Sequence, residues 1–229
     1  MNEKNWKEWA LIFGMFGLVQ WFILIHIAML FYAGGTMVNP NSPGYNYWTN
    51  WLSDLGRTKG YSGKDNTISM TIHTITLNIY GFSYIIIGIV VPNILKENRL
   101  EKRLSIIGSF FIIIYGISTM GEAFAHWDTY YEAHMAFSEI MGITSLFASI
   151  FYTIVFFHNE EFPRRIAYSF IVVLLTGIIG SVILSLYGIW PPTTTEELMV
   201  FTVEQKIRTF ISLPFIFYIY YSAWKKIKT

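Results

Sequence analysis

Long runs of apolar residues, separated by shorter polar connections, recur along the 229-residue chain. Six runs are long enough to cross a hydrocarbon layer of about 30 Å as α-helices, at a rise of about 1.5 Å per residue. The pattern predicts an all-α fold, a polytopic membrane bundle of six transmembrane helices that forms one transmembrane domain over residues 1–229. The predicted spans are 10–33, 69–95, 104–125, 134–158, 165–188 and 203–224.

Composition agrees with a membrane protein. Hydrophobic residues make up 53% of the chain and charged residues only 14%, whereas a soluble domain usually has about 25% charged residues. The net charge of +1 gives no indication of nucleic-acid binding, so the lipid bilayer is the predicted partner. The chain has no cysteine, which excludes both a disulfide framework and a thiolate metal site.

The distribution of positive charge predicts the orientation in the membrane. With six spans, both termini lie on one side, and eleven of the sixteen Lys and Arg residues lie on that side. Cytoplasmic loops are enriched in Lys and Arg, so we expect a multi-pass protein of the cell membrane with both termini in the cytoplasm. The outer connections are then 34–68, which includes a short interfacial helix, 126–134 and 189–202.

Ionisable residues at membrane depth are costly and point to function by default. Glu122 and Glu139 lie in or beside predicted spans, and the second span opens with polar side chains that include His73 and Asn78. Because lipid offers polar groups no partners, these side chains should face the interior of the bundle. The sequence predicts an outward-facing polar pocket, although ion pairs with Arg208 would be a structural explanation.

One interpretation of this pocket is an enzyme that acts on a lipid or lipid-linked substrate. Its candidate catalytic residues are Asp54, Glu122 and His134, which could supply acid–base chemistry. Its candidate substrate-binding residues are Ser53, Arg57, Asn78, Glu139 and Arg208. The structural alternative for Ser53 and Asp54 is that they cap a turn that Gly56 ends.

Histidines and carboxylates near the same face also suggest a divalent metal, zinc or copper, because such side chains ligate both ions. Glu122 and His126 are four residues apart and share a face if the third helix continues that far. The candidate metal ligands are His73, His126, His134, Glu122 and Asp128. The alternative is that this stretch is only a hydrated turn between two helices.

Small residues in the fifth span give a further prediction. Gly177, Ser181 and Ser185 recur at intervals of four. Residues of this size at this spacing allow helices to approach closely, so we expect this face to pack against a neighbouring helix.

Three stretches resemble the family called domain of unknown function 998. They are "WLSDLG" (51–56), "MGEAFAHWDTYYEAHMAFSEIMGI" (120–143) and "VEQKIRTFISLPFIFYIYYSAW" (203–224). The resemblance covers about residues 10–224 and implies a six-helix membrane fold without a settled activity. It points to residues 53–56, to His134 and to Gln205 followed by Lys206. Lys206 stands where the family usually has an arginine, which weakens the case for bidentate anion binding there.

The sequence leaves three functions open. The first is a lipid-directed or metal-dependent membrane enzyme with a lipid ligand. The second is a non-enzymatic subunit or scaffold with a membrane-protein partner, which includes a subunit like the copper-carrying one of particulate monooxygenases. The third is a transporter, which is disfavoured because the inner half of the bundle is almost purely apolar.

Overall fold

Six long helices follow the six apolar runs in the computed structural model, which describes residues 3–95 and 99–228. A short 3₁₀ helix, Leu52–Gly56, lies in the connection between the first two. The prediction of an all-α bundle of six helices is confirmed. The helices are α1 (Glu3–Leu30), α2 (Thr67–Ile94), α3 (Arg99–Phe124), α4 (Tyr131–His158), α5 (Arg165–Tyr187) and α6 (Thr195–Lys228).

The helices α1 to α5 are long and apolar enough to cross a membrane. The sixth, α6, has the length but carries Glu204, Lys206 and Arg208 in its first half. Glu204 and Lys206 are buried against the rest of the protein. Charged side chains are therefore placed inside the bundle, where they find polar partners, and not against lipid.

The helices pack in a ring in which each contacts the next and α6 closes back onto α1. The α2–α3 contact is especially close, because a Cβ placed on Gly81 would lie 2.5 Å from the carbonyl oxygen of Gly116. Across the ring, the Tyr220 hydroxyl donates to the carbonyl of Ser83 at 2.8 Å and joins α6 to α2. We call the end of the ring that carries residues 31–66, 125–130 and 188–194 the loop end, and the opposite end the terminal end.

The small residues of α5 do not pack as predicted. Nothing lies within 4 Å of a Cβ placed on Gly177, and Ser181 and Ser185 are exposed. The close contact of α5 comes from Gly180 instead, because a Cβ there would overlap the Glu204 carboxylate of α6. The prediction of close packing at Gly177 is wrong because that part of α5 borders the central cavity and does not contact a neighbouring helix closely.

Residues 31–66 form a cap over the loop end, held together by buried side-chain amides. Asn66 accepts a hydrogen bond from the Ala33 amide at 3.0 Å. Its Nδ2 donates to the carbonyls of Leu55 and Arg57 at 3.2 and 2.9 Å. This one side chain joins the end of α1, the 3₁₀ helix and the start of α2, and so fixes the cap on the bundle.

Candidate functional site

A cavity of about 610 Å³ lies at the centre of the ring, and all six helices line it. A volume of this size is typical of small-molecule sites. Its lining changes from polar near the loop end to mainly apolar towards the terminal end, where the hydroxyls of Tyr152 and Tyr220 are bonded to Ser109 and Ser83. The polar part includes Ser53, His73, Glu122, Ser138, Glu139, Gln205 and Arg208, and the apolar part includes Ile87, Val91, Ile112, Phe170 and Ile219.

Glu122, in the last turns of α3, is the most constrained polar group of this lining. The Ser138 hydroxyl donates to its Oε1 at 2.9 Å. The Nε2 atom of His134 lies 3.3 Å from the same oxygen. Both partners come from α4, so the α3–α4 contact fixes the position of this carboxylate in the cavity wall.

The position of protons at His134 follows from its neighbours. Its Nδ1 lies 2.8 Å from the Ala125 carbonyl, which can only accept, so Nδ1 carries a proton. The contact between Nε2 and Oε1 is a hydrogen bond when a proton lies between the two atoms, on the imidazole or on the carboxyl group. The Trp127 ring, 5.3 Å away, covers the imidazole.

His73 of α2 is 4% exposed and lines the cavity. Its Nδ1 has no hydrogen-bond partner within the described residues. The ring lies against Gly56, where a Cβ would come within 2.6 Å of that nitrogen. Glycine at the end of "WLSDLG" therefore makes room for the imidazole, which explains part of the motif physically.

Arg208 of α6 brings positive charge to the same part of the cavity. Its Nε lies 3.3 Å from Oε1 of the buried Glu204, one turn earlier on the helix. The guanidinium has further donors beyond this contact. The cavity lining therefore contains a fixed cation and the carboxylate of Glu122.

Asp54 lies in the cap and does not line the cavity. Its Oδ2 accepts hydrogen bonds from the Asn50 side chain and the Trp51 amide, both at 2.9 Å. Burial raises the pKa of Asp54 to about 6, against the lowering effect of these bonds and of the charges of Arg57 and Lys206. The geometry gives Asp54 a structural position, because its bonds hold the turn that opens the 3₁₀ helix.

The pair Gln205 and Lys206 fastens the 3₁₀ helix to α6. Gln205 accepts a hydrogen bond from the Leu52 amide at 2.8 Å. Lys206 donates to the carbonyl of Asn50 and lies 5.3 Å from the centre of the Tyr47 ring. Residues 50 and 52, before and at the start of the 3₁₀ helix, therefore meet residues 205–206 in space, although about 150 residues separate them in sequence.

Asp128 joins the α3–α4 turn to the cap. Its carboxylate accepts from the Thr58 hydroxyl at 2.7 Å and from the amides of Thr58 and Lys59 at 3.0 Å each. Burial alone would raise the pKa of Asp128, but these hydrogen bonds bring it below its ordinary value. Its oxygens are occupied by donors, which identifies it as a structural tie.

The structure does not support the metal prediction. Within residues 3–95 and 99–228, no three His, Asp or Glu side chains are placed to hold one ion. Since α3 ends at Phe124, His126 does not share a helical face with Glu122. Both nitrogens of His134 already face partners, and Asp128 is saturated by donors.

Of the remaining predicted site residues, some line the cavity and others do not. Glu139 lines the cavity, as do Ser53 and Arg208. Asn78 does not, because its Nδ2 donates to the Thr74 carbonyl of its own helix at 2.8 Å. Arg57 stacks 3.9 Å from the centre of the Tyr61 ring, in the cap.

Sequence reasoning missed Ser138 and Gly142, which line the cavity on α4. The signal was present, since Ser138 follows His134 by four residues and Gly142 follows Ser138 by four. Residues four apart share one helical face. Extending the face of His134 along α4 would have found both.

Comparisons with known proteins place these residues in a family. No curated protein and no solved structure matches the chain. Residues 25–204 match a family described as protein of unknown function, DUF998, and they include the 3₁₀ motif, Glu122, His134 and Ser138. Because the match covers most of the chain, this protein belongs to the DUF998 family of membrane proteins.

Proposed function

We propose that the protein binds a membrane amphiphile in its central cavity. The observation that carries this proposal is the change in lining along one cavity. Glu122 and Arg208 lie at the polar part, and Phe170 and Ile219 lie at the apolar part. A molecule with a polar head and a hydrocarbon chain matches both parts, whereas a fully polar solute would leave the apolar part hydrated or empty.

The charges of the lining indicate the kind of head group. Arg208 supplies donors, and Glu122 supplies an acceptor that Ser138 and His134 hold in place. A head group that carries both hydroxyl or amine donors and an anionic or carbonyl acceptor would pair with both sides. A plain hydrocarbon would leave the remaining donors of Arg208 and the second oxygen of Glu122 without a ligand partner, which is costly inside a bundle.

Retention of an amphiphile by the purified protein tests the proposal. The measurement is lipid extraction and mass spectrometry after purification in a mild detergent. We expect the wild type to carry an amphiphile in near-stoichiometric amount, and Leu174→Trp to lose it because Leu174 lines the cavity. Leu175→Trp is the matched control, since Leu175 points outwards and is 47% exposed. Equal amounts in both variants, or none in the wild type, would contradict the proposal.

The Glu122–His134 pair favours a second candidate, an enzyme that performs acid–base chemistry on the bound amphiphile. A carboxylate that shares a proton with an imidazole can take up or release a proton at a reacting group. Glu122→Gln keeps the acceptor oxygen but removes this capacity. We expect the variant to retain a chemically different amphiphile from the wild type, and the same species in both would remove the enzyme candidate.

The orientation decides which leaflet supplies the amphiphile. The excess of Lys and Arg near the termini supports a cytoplasmic terminal end and a polar cavity end near the outer leaflet. The chain has no cysteine, so an introduced cysteine is its only thiol. Labelling of that thiol shows which side of the membrane the residue faces. In intact cells we expect a membrane-impermeant maleimide to label Lys64→Cys and not Lys225→Cys; the reverse pattern would invert the orientation.

A further inference from the structure

The wall of the cavity is uneven around the ring, and the difference lies at α4. Along its α3 side, α4 makes contacts over most of its length. The Thr119 hydroxyl lies 3.1 Å from the sulfur of Met141, the Phe111 and Phe147 rings are 5.0 Å apart, and the Ser109 and Tyr152 hydroxyls are 2.9 Å apart. This side of the wall is closed.

On its other side, α4 contacts α5 through aromatic rings at the terminal end. The Phe170 ring lies 5.0 Å from that of Tyr152 and 5.9 Å from that of Phe156. The Phe157 and Tyr168 rings are 5.4 Å apart. These ring pairs hold α4 and α5 together at the terminal end.

Towards the loop end, the two helices face each other with small residues and open space. Gly142 of α4 and Gly177 of α5 both line the cavity. Apart from the backbone of its own helix, no atom of residues 3–95 and 99–228 lies within 4 Å of a Cβ placed on either glycine. Towards the loop end, α5 contacts α6 instead, through Thr176 and Ser212, whose hydroxyls are 3.3 Å apart. We call the gap flanked by Gly142, Ser145, Gly177 and Ser181 the α4–α5 cleft.

The loop end above the cavity is covered by aromatic side chains. Trp51, Trp127 and Trp190 come from three different connections, and their ring centres lie 5.8 to 6.3 Å apart. Such a cluster excludes water well, because indole rings bury a large apolar area. A route from water through this cover would have to separate these rings, whereas no described side chain of a neighbouring helix fills the space beside Gly142 and Gly177.

From this geometry we infer that the ligand reaches the cavity sideways from the bilayer, through the α4–α5 cleft. The inference rests on the proposed function and narrows its ligand to a long-chain lipid. The lipid head group passes the cleft to reach Glu122 and Arg208, while part of its hydrocarbon remains between α4 and α5 in contact with the bilayer.

Cross-linking the cleft tests the route separately from binding. Gly142→Cys/Gly177→Cys is loaded with its retained amphiphile, treated with a bismaleimide, and diluted into an excess of detergent micelles that lack lipid. Mass spectrometry then follows the amphiphile that remains. We expect cross-linking to slow release at least about tenfold, because a closed gate limits ligand departure. If this pair does not fold, Ser145→Cys/Ser181→Cys bridges the same cleft.

The matched control is Phe157→Cys/Tyr168→Cys, which joins the same two helices where their rings already touch. Its cross-link should leave the release rate unchanged. Unchanged release with the cleft cross-linked would overturn the lateral route and leave the proposed binding intact. Absence of any amphiphile from the uncross-linked wild type would remove both the binding and the route.

Discussion

The cap with its attached α3–α4 turn and the cavity below it both contain carboxylates, but they hold them differently. Asp54 in the cap and Asp128 in the α3–α4 turn accept hydrogen bonds from backbone amides. Glu122 in the cavity wall has only side-chain partners, Ser138 and His134. Backbone donors are fixed by the fold, whereas side-chain donors can turn towards a ligand. The comparison separates carboxylates that hold the chain together from one that is available for binding.

The largest expected effect tests whether the amides of the cap are structural. Asn66→Ala removes three hydrogen bonds that join three segments and leaves buried partners unpaired, so we expect it to lower the free energy of unfolding by about 3 kcal/mol. Denaturant unfolding in detergent measures the change. Asn78→Ala is the control, because Asn78 bonds only within its own helix. An equal loss of unfolding free energy in the two variants would show that the Asn66 side chain stabilises the protein no more than an amide that bonds within its own helix.

A pH titration examines the buried carboxylate of the cap. The pKa of Asp54 rises from 3.8 to about 6 on folding, so the folded state favours the protonated form. Its contribution to stability is therefore complete below about pH 4 and is lost as the pH rises to about 6 and beyond. We expect Asp54→Asn to remove this loss, since only Oδ2 accepts hydrogen bonds and an amide oxygen can replace it. A variant that unfolds with the same pH dependence as the wild type would contradict this assignment.

The opposite sign is expected at Asp128. Its pKa is lowered on folding, so its contribution to stability is present above its ordinary pKa and is lost as the pH falls below it. Asp128→Asn turns an NH₂ group towards amide or hydroxyl donors, because both oxygens of Asp128 accept. We expect about 1.5 kcal/mol of destabilisation at neutral pH, a modest value because the site is partly exposed. Asp65→Asn, at an exposed turn, is the control.

Much of the bundle could be predicted from sequence because each span needs only a run of apolar residues of membrane length. Ser53, His73 and Glu122 could be placed near one another because the sequence puts all three at the same end of the bundle. The predictions that were wrong depended on where each helix ends and on how each helix is rotated about its axis. Because α3 ends at Phe124, His126 leaves the face of Glu122, and α5 turns Gly177 towards open space.

The contact between Leu52 and Gln205 was not predicted, since no local pattern links positions so distant. Periodicity also gives no information on which donors reach a carboxylate. Asp54, Glu122 and Asp128 all read as candidates for chemistry in the sequence, and only their hydrogen bonds separate them. Polar residues in a connection such as 126–130 therefore indicate a functional site less reliably than polar residues at a helix end. A connection uses its polar side chains to satisfy its own backbone groups.

The smallest expected effect on stability gives the sharpest test of the comparison. Glu122→Gln makes the same acid-to-amide change as Asp128→Asn, but the acceptor near Ser138 and His134 is the single oxygen Oε1. The NH₂ group of an amide at that position can donate both to Nε2 of His134 and to the Ser138 hydroxyl, which accepts as well as donates, so we expect the free energy of unfolding to change by no more than about 0.5 kcal/mol. The measurement is made on lipid-depleted protein, so that a bound amphiphile does not contribute by mass action. A loss as large as that of Asp128→Asn would make Glu122 another structural tie, and the distinction between cap and cavity would fail.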